Sequence, residues 1–250
     1  MPAVMKHPIL SALLALALPV TGTAAQELTI PPASIPQLAD FALDSDVFAP
    51  NGWAMETQVT GDLDKDGDDD VVFVLHETNP ANVLKNEGLG TNELDTNPRI
   101  LGVGFREGTG YRLVLQNATL IPRHTEPVLD DAFAADGGLE VARGAFAVTL
   151  TSFSSAGSWE AGSAKLTFRW QNGRFELIGW ERSSVQRNTG ATVDTSANFS
   201  NGMLEVSTGS IENDAKKTTK KKIKLKPLPI DQTGDGLLFG SGAEGSPVIE

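Results

Sequence analysis

The chain has 250 residues, no cysteine and a formal net charge of −12. The missing cysteine excludes disulfide scaffolds, thiolate metal cages, cysteine nucleophiles and lipid-modified cysteines. The acidic balance argues against nucleic acid as a partner, because phosphate backbones require clustered Lys and Arg. A composition 40% hydrophobic and 21% charged describes a globular chain long enough to bury a core.

Residues 1–25 read as a secretory signal peptide. Lys6 supplies the positive start, Ile9 to Val20 an apolar run of 12 residues, and Thr23-Ala24-Ala25 the small residues before a cut preceding Gln26. That run is short of the roughly 18–20 residues that span a bilayer. The expectation is therefore an exported protein of the periplasm or extracellular space, with no transmembrane segment in the mature chain. His76 and His124 remain after the leader is removed.

An N-terminal arm over 26–52 follows, rich in Pro and Ala, with one or two helical turns expected over Ile35 to Leu43. From Trp53 the pattern changes to period two: Trp53, Met55, Thr57 and Val59 alternate with Ala54, Glu56 and Gln58. Val71 to Leu75 (VVFVL) is a continuous β-prone run, which suits a strand buried on both faces. Ile100 to Phe105 and Tyr111 to Leu115 flank Glu107-Gly108-Thr109-Gly110, a hairpin signal. Residues 116–138 carry Pro122, Pro127 and Gly137-Gly138, which predict a long loop with a short helix around Val128 to Ala135. Ala145 to Phe153 alternates again. Two hairpins centre on Asn172-Gly173 and Asn201-Gly202, pairs that favour positive φ and two-residue type I′ turns.

Roughly nine strands joined by short turns must pair antiparallel, since a parallel pair needs a long crossover. The expected fold is all-β: an antiparallel sandwich or a strongly curved sheet over 53–230, with a flexible C-terminal tail over 231–250. Before the tail, Lys216, Lys217, Lys220, Lys221, Lys222, Lys224 and Lys226 form a basic segment. It reads either as an outer strand protected from edge pairing or as a contact for an anionic surface. Lys222 to Lys226 alternates with Ile223 and Leu225, as a strand would.

One motif carries definite chemistry. Asp62 to Asp70 (DLDKDGDDD) holds six aspartates in nine residues. Asp occupies loop positions one, three, five and nine, and Gly67 occupies position six. Hard cations such as Ca²⁺ take six to eight oxygen ligands at about 2.3–2.6 Å. Alternate residues of a tightly curled loop can turn their oxygens inward, and the Asp68 carbonyl can add a backbone ligand. Without a cation, carboxylates about 5 Å apart repel by close to 1 kcal/mol per pair even in water. An EF-hand would need a bidentate Glu at position twelve, where Phe73 stands instead.

Gly61 to Leu75 (GDLDKDGDDDVVFVL) resembles the calcium loop of FG-GAP or integrin-type repeats, in which such a loop joins two antiparallel strands. The resemblance covers about 15 residues, in one copy. It implies Ca²⁺, with Asp62, Asp64, Asp66 and Asp70 as side-chain ligands and Asp68 as the carbonyl ligand. The segment Gly173 to Arg182 (GRFELIGWER) looks like hairpins of exported bacterial proteins that carry one such loop.

Catalytic signatures are absent: there is no G-x-S-x-G elbow, P-loop or H-E-x-x-H. Asp130, Asp131, Glu160 and Glu181 are available carboxylates, with nothing selecting two of them as a glycosidase pair. Trp53, Trp159, Trp170 and Trp180 suit core packing or a sugar-stacking platform. The leading expectation is a non-enzymatic exported calcium-binding β domain with an envelope or extracellular protein or glycan as partner. The alternative is a calcium-dependent hydrolase acting on glycan or peptidoglycan.

Overall fold

A computed structural model describes residues 28–241 apart from Ala135, Ile223 and Leu225. The expected signal peptide and residues 242–250 lie outside the described residues. The chain is all-β, and its short helical pieces are 3₁₀ turns. In chain order the strands are β1 (Phe41–Ala42), β2 (Trp53–Gly61), β3 (Asp70–Glu77), β4 (Val83–Lys85), β5 (Glu93–Asp95), β6 (Arg99–Glu107), β7 (Gly110–Asn117) and β8 (Leu139–Ala142). They continue with β9 (Ala145–Ser152), β10 (Glu160–Gln171), β11 (Arg174–Gln186), β12 (Ala191–Asn198), β13 (Met203–Ser210), β14 (Asn213–Lys222) and β15 (Leu228–Pro229).

Two antiparallel sheets carry the fold. The first has five strands in the order β1-β7-β6-β3-β2. The second runs β14-β13-β12-β11-β10-β9-β8, with β15 added beside β11. One apolar core lies between them. Val72, Val74, Leu101, Val103 and Phe105 of the first sheet meet Phe146, Val148, Leu166, Phe168 and Phe175 of the second. The side chains of β3 alternate between two cores. Val71, Phe73 and Leu75 point the other way and pack with Leu38, Ala42 and Phe48 of the N-terminal arm. The VVFVL run is thus buried on both faces, every residue at 1% exposure or less. Phe48 stacks on Phe73 at 5.1 Å, and the Phe73 ring lies against Gly102, where an added Cβ would stand 2.2 Å from it.

The arm is extended where helical turns were expected. Before the 3₁₀ turn at Ser45–Phe48 its backbone bonds outward: Leu38 N–H donates to Gln116 Oε1 at 3.0 Å, and Gln116 Nε2 donates to the Pro36 carbonyl at 2.7 Å. The short helix expected at 128–135 is also absent among the described residues there. Those backbone groups run alongside the end of β9, with Asp130 N–H on Phe153 O and Thr151 N–H on Ala132 O. Arg99, 5% exposed, ties this irregular stretch to the first sheet by paired bonds to both Glu56 and Asp131 at 2.7–2.9 Å. These two carboxylates raise the guanidinium pKa against the opposing effect of burial.

The Asn172-Gly173 turn forms as expected, with φ of 55° and 74°. Asn201-Gly202 does not make a two-residue turn. Asn198 pairs with Met203, leaving a four-residue loop capped by the Asn198 side chain on Ser200 and Asn201 N–H. The expected tail is packed over 231–241. Gly236 N–H donates to Leu120 O, and the fully buried Phe239 meets Trp180 and Phe199 edge-on. Aromatic area outweighs the Gly and Ser content of this segment. The lysine strand ends at Lys222, so Lys224 and Lys226 lie beyond it. Ile223 and Leu225 of the expected alternation lie outside the described residues.

Gly102→Ala should destabilise the protein by about 1–3 kcal/mol, the usual cost of overpacking, because the Phe73 ring is held between Gly102 and Phe48. Urea unfolding of the two proteins at one calcium concentration checks this.

Candidate metal centre

The aspartate loop joins β2 to β3, which pair from Trp53–Glu77 to Gly61–Asp70. Leu63, the apolar residue within the loop, is 1% exposed and enters the shared core. Burying it is worth about 1.5–3 kcal/mol and fixes the start of the loop. The loop also abuts the second sheet: a Cβ on Gly61 would fall 2.5 Å from Val141 Cγ1.

Asp carboxylates then curl the backbone through local side-chain bonds. Asp62 Oδ1 accepts from Lys65 N–H at 2.6 Å, Asp64 Oδ1 from Asp66 N–H at 3.1 Å, and Asp66 Oδ1 from Asp68 N–H at 2.9 Å. Lys65 and Gly67 take positive φ, 71° and 98°, to close the curl. Each of these three carboxylates spends one oxygen on the loop and keeps the other available.

Asp70 closes the loop and is 1% exposed. Its Oδ2 accepts from Leu63 N–H at 2.8 Å and Asp64 N–H at 3.3 Å, and its Oδ1 accepts from Arg106 N–H of β6 at 2.9 Å. Burial pushes its pKa up, the Asp64 charge adds to that, and the three amides pull it down. One lone-pair direction of Oδ1 is left over.

Oxygens of Asp62, Asp64 and Asp70 lie within 4.8 Å of one another. Asp66 and Asp68 are exposed, and their carboxylates fall outside that group. The carbonyl expected to serve as the Asp68 ligand is a separate donor from that carboxylate. The donor set is entirely oxygen, which suits a hard cation, with water completing six to eight ligands. A buried carboxylate beside a second negative charge is the element of this set that a cation would relieve.

Of the other carboxylates named from sequence, Asp130 and Glu160 line one cleft, whereas Asp131 and Glu181 lie elsewhere. Asp131 is bound to Arg99. Glu160 accepts from Arg182 and Gln186 in a cleft of about 450 Å³ that Asp130 and Asp235 also line. No tryptophan lines that cleft. Trp180 is buried, Trp170 packs against Phe105 and Phe175, Trp53 sits under the arm and Trp159 is exposed beside Arg187. They form no common platform. Sequence reasoning missed Leu63 and the Arg106 amide as parts of the loop. The lone apolar residue among the aspartates was the available signal for the first, and none existed for the second.

The chain matches no protein-family profile, no curated protein and no solved structure.

Asp70→Asn should destabilise the calcium-free protein by about 1–3 kcal/mol, since an amide NH₂ would replace an acceptor facing a backbone N–H. Asp64→Asn should change calcium-free stability by less than about 0.5 kcal/mol. Chemical unfolding in excess chelator separates the structural aspartate from its neighbour.

Proposed function

We propose that this protein is an exported, non-enzymatic β domain braced by calcium, acting as a binding or structural module of the cell envelope or extracellular space. The observation that carries the reading is the convergence of the Asp62, Asp64 and Asp70 oxygens within 4.8 Å at the turn between β2 and β3. The leader pattern of residues 1–25 supports export. The absence of cysteine gives an exported chain reason to use a metal brace where others use disulfides.

Asp62 and Asp64 would each offer a free carboxylate oxygen, Asp70 its remaining Oδ1 lone pair, and Asp68 its carbonyl. Asp66, whose carboxylate falls outside the convergent group, would act through water or by shaping the curl. The ion would supply charge neutralisation and cross-link the two ends of the loop. Extracellular calcium modules commonly bind at roughly 10⁻⁴–10⁻³ M. At ten times Kd the folded state gains about 1.4 kcal/mol, the scale of a brace rather than of a switch. The hydrolase alternative requires paired carboxylates and an aromatic platform in one cleft, and the tryptophans described above are dispersed.

Millimolar Ca²⁺ should raise the melting temperature of the wild type, a chelator should reverse the rise, and Asp64→Asn, which keeps an amide oxygen but loses the charge, should reduce it. Calorimetric titration should give one site. A wild-type melting curve indifferent to Ca²⁺ would refute the calcium brace.

A further inference from the structure

Among the described residues strand β14 is the outermost strand of the larger sheet, and all ten of its residues are exposed. It carries Lys216, Lys217, Lys220, Lys221 and Lys222 on a protein whose net charge is −12. Strand register sorts these lysines by face. Glu181, Ser196, Glu205 and Lys220 stand opposite one another across four strands, and Ser183, Asp194, Ser207 and Thr218 form the next row on that face. On that face Lys220 pairs with Glu205 at 2.6 Å and Lys216 with Asp194 at 2.7 Å, while Lys222 donates to the Asn201 carbonyl.

The opposite face differs. Its rows are Trp180–Ala197–Leu204–Lys221, Arg182–Thr195–Val206–Thr219 and Ser184–Val193–Thr208–Lys217. No acid stands in them. Among the described residues, Lys217 and Lys221 have no ion pair or side-chain hydrogen bond. Among the described residues the outer edge thus has no partner strand and carries two cations of the same parity without an acid partner.

We infer that the outer edge of β14 is a docking strand for an acidic extended segment of a partner protein, whose carboxylates meet Lys217 and Lys221. Edge lysines discourage pairing with neutral strands and with second copies of the same strand, where Lys would oppose Lys. An acidic strand is the partner that they favour. It gains main-chain hydrogen bonds from the edge and charge complementarity from one face. Carboxylates placed four residues apart share a strand face, as Lys217 and Lys221 do. This names the kind of partner for the binding role proposed above and rests on that reading. The calcium-dependent melting shift tests that role separately, so each can fail alone.

The test uses the full chain and a short blocked peptide alternating Glu and Thr, followed by fluorescence anisotropy at low salt. A peptide alternating Lys and Thr and anionic phosphatidylglycerol vesicles serve as comparisons. The acidic peptide should bind and the basic one should not. The double variant Lys217→Glu/Lys221→Glu should weaken binding by about tenfold or more. Lys216→Ala/Lys220→Ala, on the ion-paired face, should change it by less than about threefold. All variants should keep the wild-type melting curve, since β14 side chains are exposed. Equal weakening by the two pairs, no peptide binding at millimolar concentration, or vesicle binding without peptide binding would each overturn the inference.

Discussion

Strand β3 is apolar on both faces, and much of the architecture answers that constraint. A strand with water on one side would expose Val71, Phe73 and Leu75 or else Val72 and Val74. The second sheet covers one set and the N-terminal arm the other. The arm is thereby held extended, with its polar backbone groups satisfied by Gln116 and the edge of β7. The same strand begins at Asp70, so the double burial that fixes β3 also fixes the buried carboxylate at the base of the aspartate loop. Leu63 anchors the other end in the shared core. The loop is free to curl only between two immobile points.

Within that loop the aspartates divide the work. Asp70 is committed to three backbone amides, two from the loop and one from β6. It welds the turn to the sheet whether or not an ion is present. Asp62 and Asp64 keep an oxygen each and lie close to it. Negative charge is thus concentrated beside a group whose burial already disfavours ionisation, which is the physical argument behind the proposed cation.

Charge is also sorted at the other end of the molecule. Ala197 of β12 and Leu204 of β13 still reach the core, but β14 is exposed along its whole length. Strand alternation puts Asp194 and Glu205 on one face with Lys216 and Lys220, and leaves Lys217 and Lys221 on the other. A run of lysines that looks uniform in one dimension becomes a face where Lys216 and Lys220 are ion-paired and one where Lys217 and Lys221 have no acid partner among the described residues.

The sequence by itself determined the all-β class, the antiparallel pairing, the two-sided burial of VVFVL and the position of the aspartate loop. These follow from local physics: period-two alternation, short turns and the repulsion of neighbouring acids. Local reasoning failed where distant residues decided the conformation. Ile35 to Leu43 and the stretch from Val128 lack helix because strands elsewhere take their hydrogen bonds. Residues 231–241 pack because Phe239 finds Trp180 and Phe199. Asp70 could be named as a carboxylate of the loop from spacing alone. Its weld to Arg106 depends on how β6 lies beside β3. Only the tertiary structure sets that, because the partners are backbone amides far along the chain that leave no mark in residue type.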